Sequence, residues 1–246
     1  MGLYKATAVT PERITRLDAL QPEVNWAFGK RGSWGLARGR IILITGERGC
    51  GKTRFLTELV HGWDQIGLTT MFCQGEVSVG QFVAEKFEKG IPSHCFLSDD
   101  MSIDDQISHI AATSPAVCIT DSVQQIEEYK NGRGAKECVR KIRSVIGHTG
   151  TVMILISQMT TTGTARGGSE LPHEVDTESY MKKWAPTTAP NLFCLEIAKN
   201  RYGPSGKEVV MCHRNTGVEF QSQNRLRDPD WVKDMVPVRR KRWGLF

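Results

Sequence analysis

The stretch Gly46-Glu47-Arg48-Gly49-Cys50-Gly51-Lys52-Thr53 has the residue types and spacing to hold a phosphate. It completes the pattern G-x-x-x-x-G-K-[ST]. An apolar run, RIILIT at 40–45, precedes it, and a helical pattern with Phe55, Leu56, Leu59 and Val60 on one face follows. Glycines let successive backbone N–H groups curl round an anion, and the helix N-terminus adds the positive end of its dipole. Lys52 is placed to reach the β- and γ-phosphates, and the Thr53 hydroxyl to ligate Mg2+. These eight residues with Arg54 are the expected nucleotide-binding loop, and ATP with Mg2+ the expected cofactors.

Three more polar residues stand at the ends of apolar runs. AVCIT at 116–120 runs into Asp121, where a carboxylate that orients Mg2+ belongs, so Thr53 and Asp121 are the expected metal ligands. Glu76 follows TTMFCQ at 69–74 and can polarise an attacking water. Gln158 ends TVMILIS at 151–157, where an amide can sense the γ-phosphate and pass its state to the next loop. Strand ends in such a sheet converge on the nucleotide crevice. The six histidines show no metal-binding spacing.

The elements that must position these residues alternate. Short apolar runs predict strands at 40–45, 69–74, 94–97, 116–120 and 151–157. Helical spacing predicts helices from about 53, over 78–89, over 103–112 and over 135–146. A long polar stretch after Gln158 reads as a loop. Two last strands, about 192–198 and 207–213, flank the turn YGPSG. Alternation of this kind gives a mostly parallel central sheet with helices on both faces, and the last pair a C-terminal antiparallel hairpin at one edge. Residues 1–38 read as a segment leading into the core, 39–220 as the core, and 221–246 as a basic tail carrying Arg239, Arg240, Lys241 and Arg242.

Bulk properties exclude several classes. At 246 residues the chain can bury a core without disulfide staples. No apolar run approaches the ~20 residues of a membrane-spanning helix, and the N-terminus carries neither a signal core nor a myristoylation pattern. The seven cysteines form no C-x-x-C pair, which argues against a zinc ribbon. They read as free, buried thiols in a reducing cytoplasm. A net charge of +5 suits an anionic partner.

Beyond these motifs the chain resembles the RadA (Sms) family, bacterial RecA-like motors of DNA repair and branch migration. PEVNWAFG at 22–29, followed by GLARGRIILITG, resembles the family's entry to its phosphate loop. GEVSVGQ at 75–81 resembles its glutamate motif, and ITDSVQQI at 119–126 its metal-binding strand. KNRYGP at 199–204 resembles its signature, with Tyr202 where the family usually has Phe. The resemblance covers roughly residues 12–220. It implies a RecA-like P-loop ATPase working as a ring, a hexamer, on single-stranded or branched DNA. It implies that Lys199 and Arg201 are fingers reaching the ATP of a neighbouring copy. Lys52, Glu76, Gln158, Lys199 and Arg201 are then the catalytic set. In RecA-like rings the loops after the Asp121 and Gln158 strands line the channel, which marks Lys130, Arg133, Lys136 and Arg166 as DNA-binding residues.

The family's four-cysteine zinc finger and Lon-like domain have no counterpart in this sequence, so the resemblance implies a minimal version. Recombinase or replication proteins are the protein partners the resemblance implies. The expected setting is the cytoplasm of a bacterial or phage-infected cell. Other motors stay open, namely a DnaB-like replicative helicase or a RecA-like recombinase. KNRYGP favours RadA over RecA, and the short N-terminus leaves little room for a DnaB-type assembly domain. A nucleotide-controlled scaffold resembling KaiC is the reading from another class, and the basic loops count against it.

Overall fold

A computed structural model describes residues 14–130, 134–159, 170–183, 191–214 and 217–220. A small antiparallel pair, β1 (Arg16–Leu17) and β2 (Leu36–Ala37), brackets helix α1 (Pro22–Phe28). The chain then enters β3 (Ile41–Gly46), α2 (Lys52–Gln65), β4 (Thr70–Gln74), α3 (Val79–Lys86), β5 (Cys95–Ser98) and α4 (Ile103–Thr113). β6 (Val117–Asp121), a 3-10 turn at Val123–Gln125, α5 (Glu127–Lys130), α6 (Ala135–Thr149) and β7 (Val152–Gln158) follow. The last elements are α7 (Leu171–Glu174), β8 (Thr177–Lys183), β9 (Leu192–Asn200), β10 (Lys207–Arg214) and β11 (Gly217–Phe220).

Nine strands form one sheet in the order β11-β10-β9-β8-β3-β7-β6-β4-β5. From β8 to β5 every pairing is parallel, and β8 to β11 pair antiparallel. This is the expected RecA-like α/β arrangement, parallel in the middle and closed by a C-terminal antiparallel hairpin.

The period-two alternation of each strand splits the core into two layers. Ile42, Ile44, Phe72, Ile119 and Ile154 face a layer with Phe55, Leu56 and Trp63 of α2 and Phe82 of α3. Ile41, Leu43, Met71, Cys118 and Met153 face the other, with Ile103 and Ile110 of α4 and Val139, Ile142 and Ile146 of α6. Strands buried on both faces read as continuous apolar runs, which is why the parallel strands are legible in the sequence. The cysteines fit this packing: all seven are free, and Cys50, Cys73, Cys118, Cys138 and Cys194 are buried.

The structure corrects the long polar loop after Gln158, because it contains β8, which pairs with β3 from Thr177 to Met181. The inward side chains Thr177 and Ser179 are polar and fully covered. Ser179 Oγ donates to the Leu43 carbonyl at 3.0 Å, which satisfies a buried hydroxyl without apolar character. Helix α1, also not expected, packs under β9 and β10. Lys207 Nζ lies over the rings of Trp26 and Trp34, 4.9 and 5.4 Å from their centroids. Trp63 Nε1 of α2 donates to the Asp18 carbonyl at 2.9 Å, tying residues 14–37 to the core.

Candidate active site

The C-terminal ends of β3, β7, β6 and β4 stand side by side. Gly46 is in register with Gln158, and Asp121 with Gln74. Between these ends and α2 opens a cleft of about 390 Å³. Lys52, Thr53, Glu76, Asp121 and Gln158 all line it.

The phosphate loop leaves Gly46 with no room for a side chain. A Cβ there would lie 2.4 Å from the Met181 carbonyl oxygen. Gly49 and Gly51 have φ of +76° and +82°, in the left-handed region that only glycine enters readily. Arg48, Gly49, Gly51 and Arg54 line the cleft, whereas Cys50 is buried behind the loop, 3.6 Å from Lys52 Nζ. Burial pushes the Cys50 thiol up, and the adjacent Lys52 charge opposes that shift. Glu47 is exposed and gives its carbonyl to the loop. Lys52 Nζ donates to the carbonyls of Gly46 and Glu47, each at 2.8 Å, which holds the ammonium inside the loop's curl.

Thr53 Oγ1 donates to Asp121 Oδ2 at 2.5 Å. This hydroxyl and this carboxylate are hard oxygen ligands of the kind Mg2+ takes alongside phosphate oxygens. The residues present therefore fit the metal that the loop implies. Glu76, at the exposed start of the β4–α3 connection, accepts from Gln158 Nε2 at 3.3 Å. The two residues expected to handle the attacking water and the γ-phosphate are in contact with each other.

Burial raises the Asp121 carboxyl above its usual value; the Thr53 bond opposes this, and the Glu76 charge adds to it. A raised carboxyl keeps its proton in the folded state over a pH window where the unfolded chain has lost it, so this group favours folding at low pH and loses that contribution as pH rises through the window. Metal binding needs the ionised form. Mg2+-dependent nucleotide affinity is therefore expected to weaken as pH falls, beginning at a higher pH than an ordinary Asp ligand would give. Asp121→Asn removes both the metal dependence and its pH profile while leaving the nucleotide-free fold at least as stable. Titrating Mg2+ into protein and nucleotide at stepped pH, with parallel thermal melts, checks both parts; a profile unchanged in Asp121→Asn would refute the assignment.

Two contributors were missed in the sequence. Gln74 Nε2 donates to the Val77 carbonyl at 2.6 Å, and its Oε1 accepts from the backbone N–H of Glu76 and Val77, both at 3.2 Å. It shapes the turn that presents Glu76. Its signal was the one that marked Gln158, a polar residue ending an apolar strand. His213 of β10 was not readable at all. Its ring stacks on Phe193, centroids 4.3 Å apart, and backs onto Gly51. Burial first, and then the charge of Arg54, lower it to about 4, so the ring is neutral at neutral pH.

Lys199 and Arg201 do not line this cleft. β9 runs antiparallel to β8, so Asn200 lies opposite Thr177, which pairs with Ile42, whereas Met181 pairs with Gly46. The pair thus sits at the opposite end of the strands, four residues or ~13 Å along β3 from the phosphate loop at ~3.3 Å per residue. There Lys199 Nζ donates to the carbonyls of Pro172, His173 and Val175 at 2.8, 3.1 and 2.9 Å. Burial lowers its ammonium, and the Arg201 charge lowers it further. Lys136 is exposed in the first turn of α6, and Lys130 ends α5. Arg133, Arg166 and the basic tail lie outside the described residues.

No protein-family model matches the chain. Curated proteins do. A DNA repair protein RadA of Mycolicibacterium smegmatis is 25% identical over 199 residues, 76% of this chain and 42% of its own. RadA of Halalkalibacterium halodurans is 24% identical over 220 residues, covering 87% and 47%. RadA of Bacillus subtilis is 24% identical over 225 residues, covering 86% and 48%. The similarity is to the RadA family, over a partial core. The chain spans about half the length of the curated RadA proteins it matches. No described helix is long and apolar enough to cross a membrane.

Proposed function

We propose that this chain is a RadA-like, DNA-dependent ATPase that assembles as a ring, a hexamer, and moves along single-stranded DNA in recombination and repair. One observation carries the reading. Lys52, the Thr53–Asp121 pair and the Glu76–Gln158 pair meet at one cleft, while Lys199 and Arg201 stand at the opposite end of the strands. The first group is what one copy needs to bind ATP and start hydrolysis. The second can serve a nucleotide only if that nucleotide belongs to another copy, which requires an assembly.

In this reading the loop N–H groups and the N-terminus of α2 hold the phosphates, and Lys52 turns from the Gly46 and Glu47 carbonyls to a phosphate oxygen. Bound Mg2+ would draw charge from the β- and γ-phosphates. Glu76 takes the proton of the attacking water. Gln158 holds Glu76 and carries the state of the site to the loop that follows β7. That loop and the one after β6 leave the sheet beside Gln158 and Asp121, and in this reading both contact DNA through Lys130, Arg133, Lys136 and Arg166. Such contacts bind phosphates without reading sequence. The chain would act in a reducing cytoplasm, on branched as well as single-stranded DNA, with recombinase or replication proteins as partners.

Steady-state ATP hydrolysis with and without single-stranded DNA, at low and at physiological salt, tests the proposal. Strong stimulation that fades as salt rises is expected, because phosphate contacts release counterions. Hydrolysis indifferent to DNA at both salts would move the reading to a nucleotide-controlled scaffold. Arg133→Ala with Arg166→Ala is expected to remove the stimulation while nucleotide affinity holds.

A further inference from the structure

Asp176 belongs to none of the motifs, yet it is the point where the phosphate-loop strand and the Lys199–Arg201 turn meet. It is 1% exposed. Its Oδ2 accepts from the Ile41 N–H at 3.0 Å, at the start of β3. Its Oδ1 accepts from Arg143 Nη2 at 3.1 Å and from Arg201 Nη1 at 3.5 Å. Its own N–H donates to the Ile41 carbonyl, and its carbonyl accepts from the Arg201 N–H, both at 3.0 Å.

A buried carboxylate must be paired and hydrogen-bonded to be tolerated. The Ile41 N–H and Arg143 already meet that need. The contact with Arg201 is longer, and the Arg201 side chain is 46% exposed, so it adds little stability. What it does is restrict where the guanidinium can point. The carbonyls of α7 complete the restriction. Arg201 Nη2 donates to the His173 carbonyl at 3.1 Å, and Lys199 sits on the three carbonyls of Pro172, His173 and Val175. Such carbonyls at a helix C-terminus have no partners within the helix and attract cations. Asn200, between the two cations, turns the other way. Its Nδ2 donates to the Phe28 carbonyl at 3.0 Å, and its Oδ1 accepts from the Tyr202 N–H at 3.0 Å. The turn is anchored on α1 by its middle residue, with both cations on the α7 side.

We infer that Asp176 is a positioning residue, which with the C-terminal carbonyls of α7 forms a cradle that aims Lys199 and Arg201 at the nucleotide of a neighbouring copy. The inference rests on the proposed function. The cradle fixes the pair to the start of β3, so the finger of one copy is held by the same strand that ends in its own phosphate loop.

Two variants test this. Asp176→Asn keeps an oxygen for the Ile41 N–H and removes the charge that holds Arg201. Lys199→Arg keeps the charge but replaces an ammonium that fits three carbonyls with a planar fork that does not. Each is expected to lose tenfold or more in ATP turnover, with nucleotide affinity within about twofold of wild type, as for an interaction made in the transition state. Each is then mixed with a Lys52→Ala variant, whose own sites are dead but whose Lys199–Arg201 pair is intact. Recovery of turnover in the mixture is expected, because Lys52→Ala copies lend their pair to the variant's sites. A role confined to the variant's own fold would give no such recovery. Wild-type turnover in both variants, or lost turnover with normal nucleotide binding and no recovery on mixing, overturns the inference. A wild-type protein that hydrolyses no ATP in any oligomeric state overturns the function and the inference together; an active wild type with either of the former results overturns this inference alone.

Discussion

Replacing Lys199 or Arg201 with Ala is expected to cut ATP turnover by ~10³-fold or more while nucleotide affinity stays within about twofold, the pattern for a cationic finger supplied by a neighbour. The reason is positional. Both side chains lie at the end of the strands away from the cleft and line no part of it, so neither can contribute to binding within one copy. Both also hold α7 by its carbonyls. A purely structural pair would show its loss as a lower melting temperature with turnover per folded molecule unchanged. Equilibrium binding of a fluorescent ATP analogue, steady-state hydrolysis and a thermal melt on the same preparations separate the two cases. Normal turnover in both variants would end the finger assignment.

Gly51→Ala is expected to weaken nucleotide binding by on the order of 10²-fold. Its φ of +82° costs an alanine ~1–2 kcal/mol. The new Cβ would also lie 1.9 Å from His213 Cε1. That ring cannot retreat freely, because it is buried against Phe193. Overpacking of this kind adds roughly 1–3 kcal/mol. Both terms fall on the residue that caps α2 at its N-terminus, where the N–H groups proposed to bind phosphate start. Adding His213→Ala removes the clash and leaves the backbone strain, so the double variant is expected to regain about half of the lost binding energy. Binding isotherms for the two variants decide this. A Gly51→Ala protein that binds like wild type would mean that β10 yields easily and does not brace the loop.

The sequence alone determined the candidate phosphate loop of this protein and the strands that frame it. The glycine-lysine-threonine loop, Asp121, Glu76 and Gln158 are all legible because each follows an apolar run whose end is local information. Strands buried on both faces must be apolar throughout, and the switch to a polar residue marks where they emerge into the crevice. Part of the resemblance to the RadA family was legible for the same reason, since GEVSVGQ and ITDSVQQI follow or contain those ends. β8 was not legible, because its inward Thr177 and Ser179 meet their burial cost through hydrogen bonds with distant partners such as the Leu43 carbonyl, and no local pattern records that.

Only the tertiary structure brought His213 against Gly51, more than 160 positions earlier in the chain, and Asp176 between Ile41 and Arg201. It also decided which end of the strands carries Lys199 and Arg201. As a triplet on a strand end they could have faced either side of the molecule. The antiparallel return of β9 along β8 carries them to the end of the strands opposite the phosphate loop. Strand direction is set by the pairing of backbone hydrogen bonds, a property of the assembled sheet rather than of the residues within it.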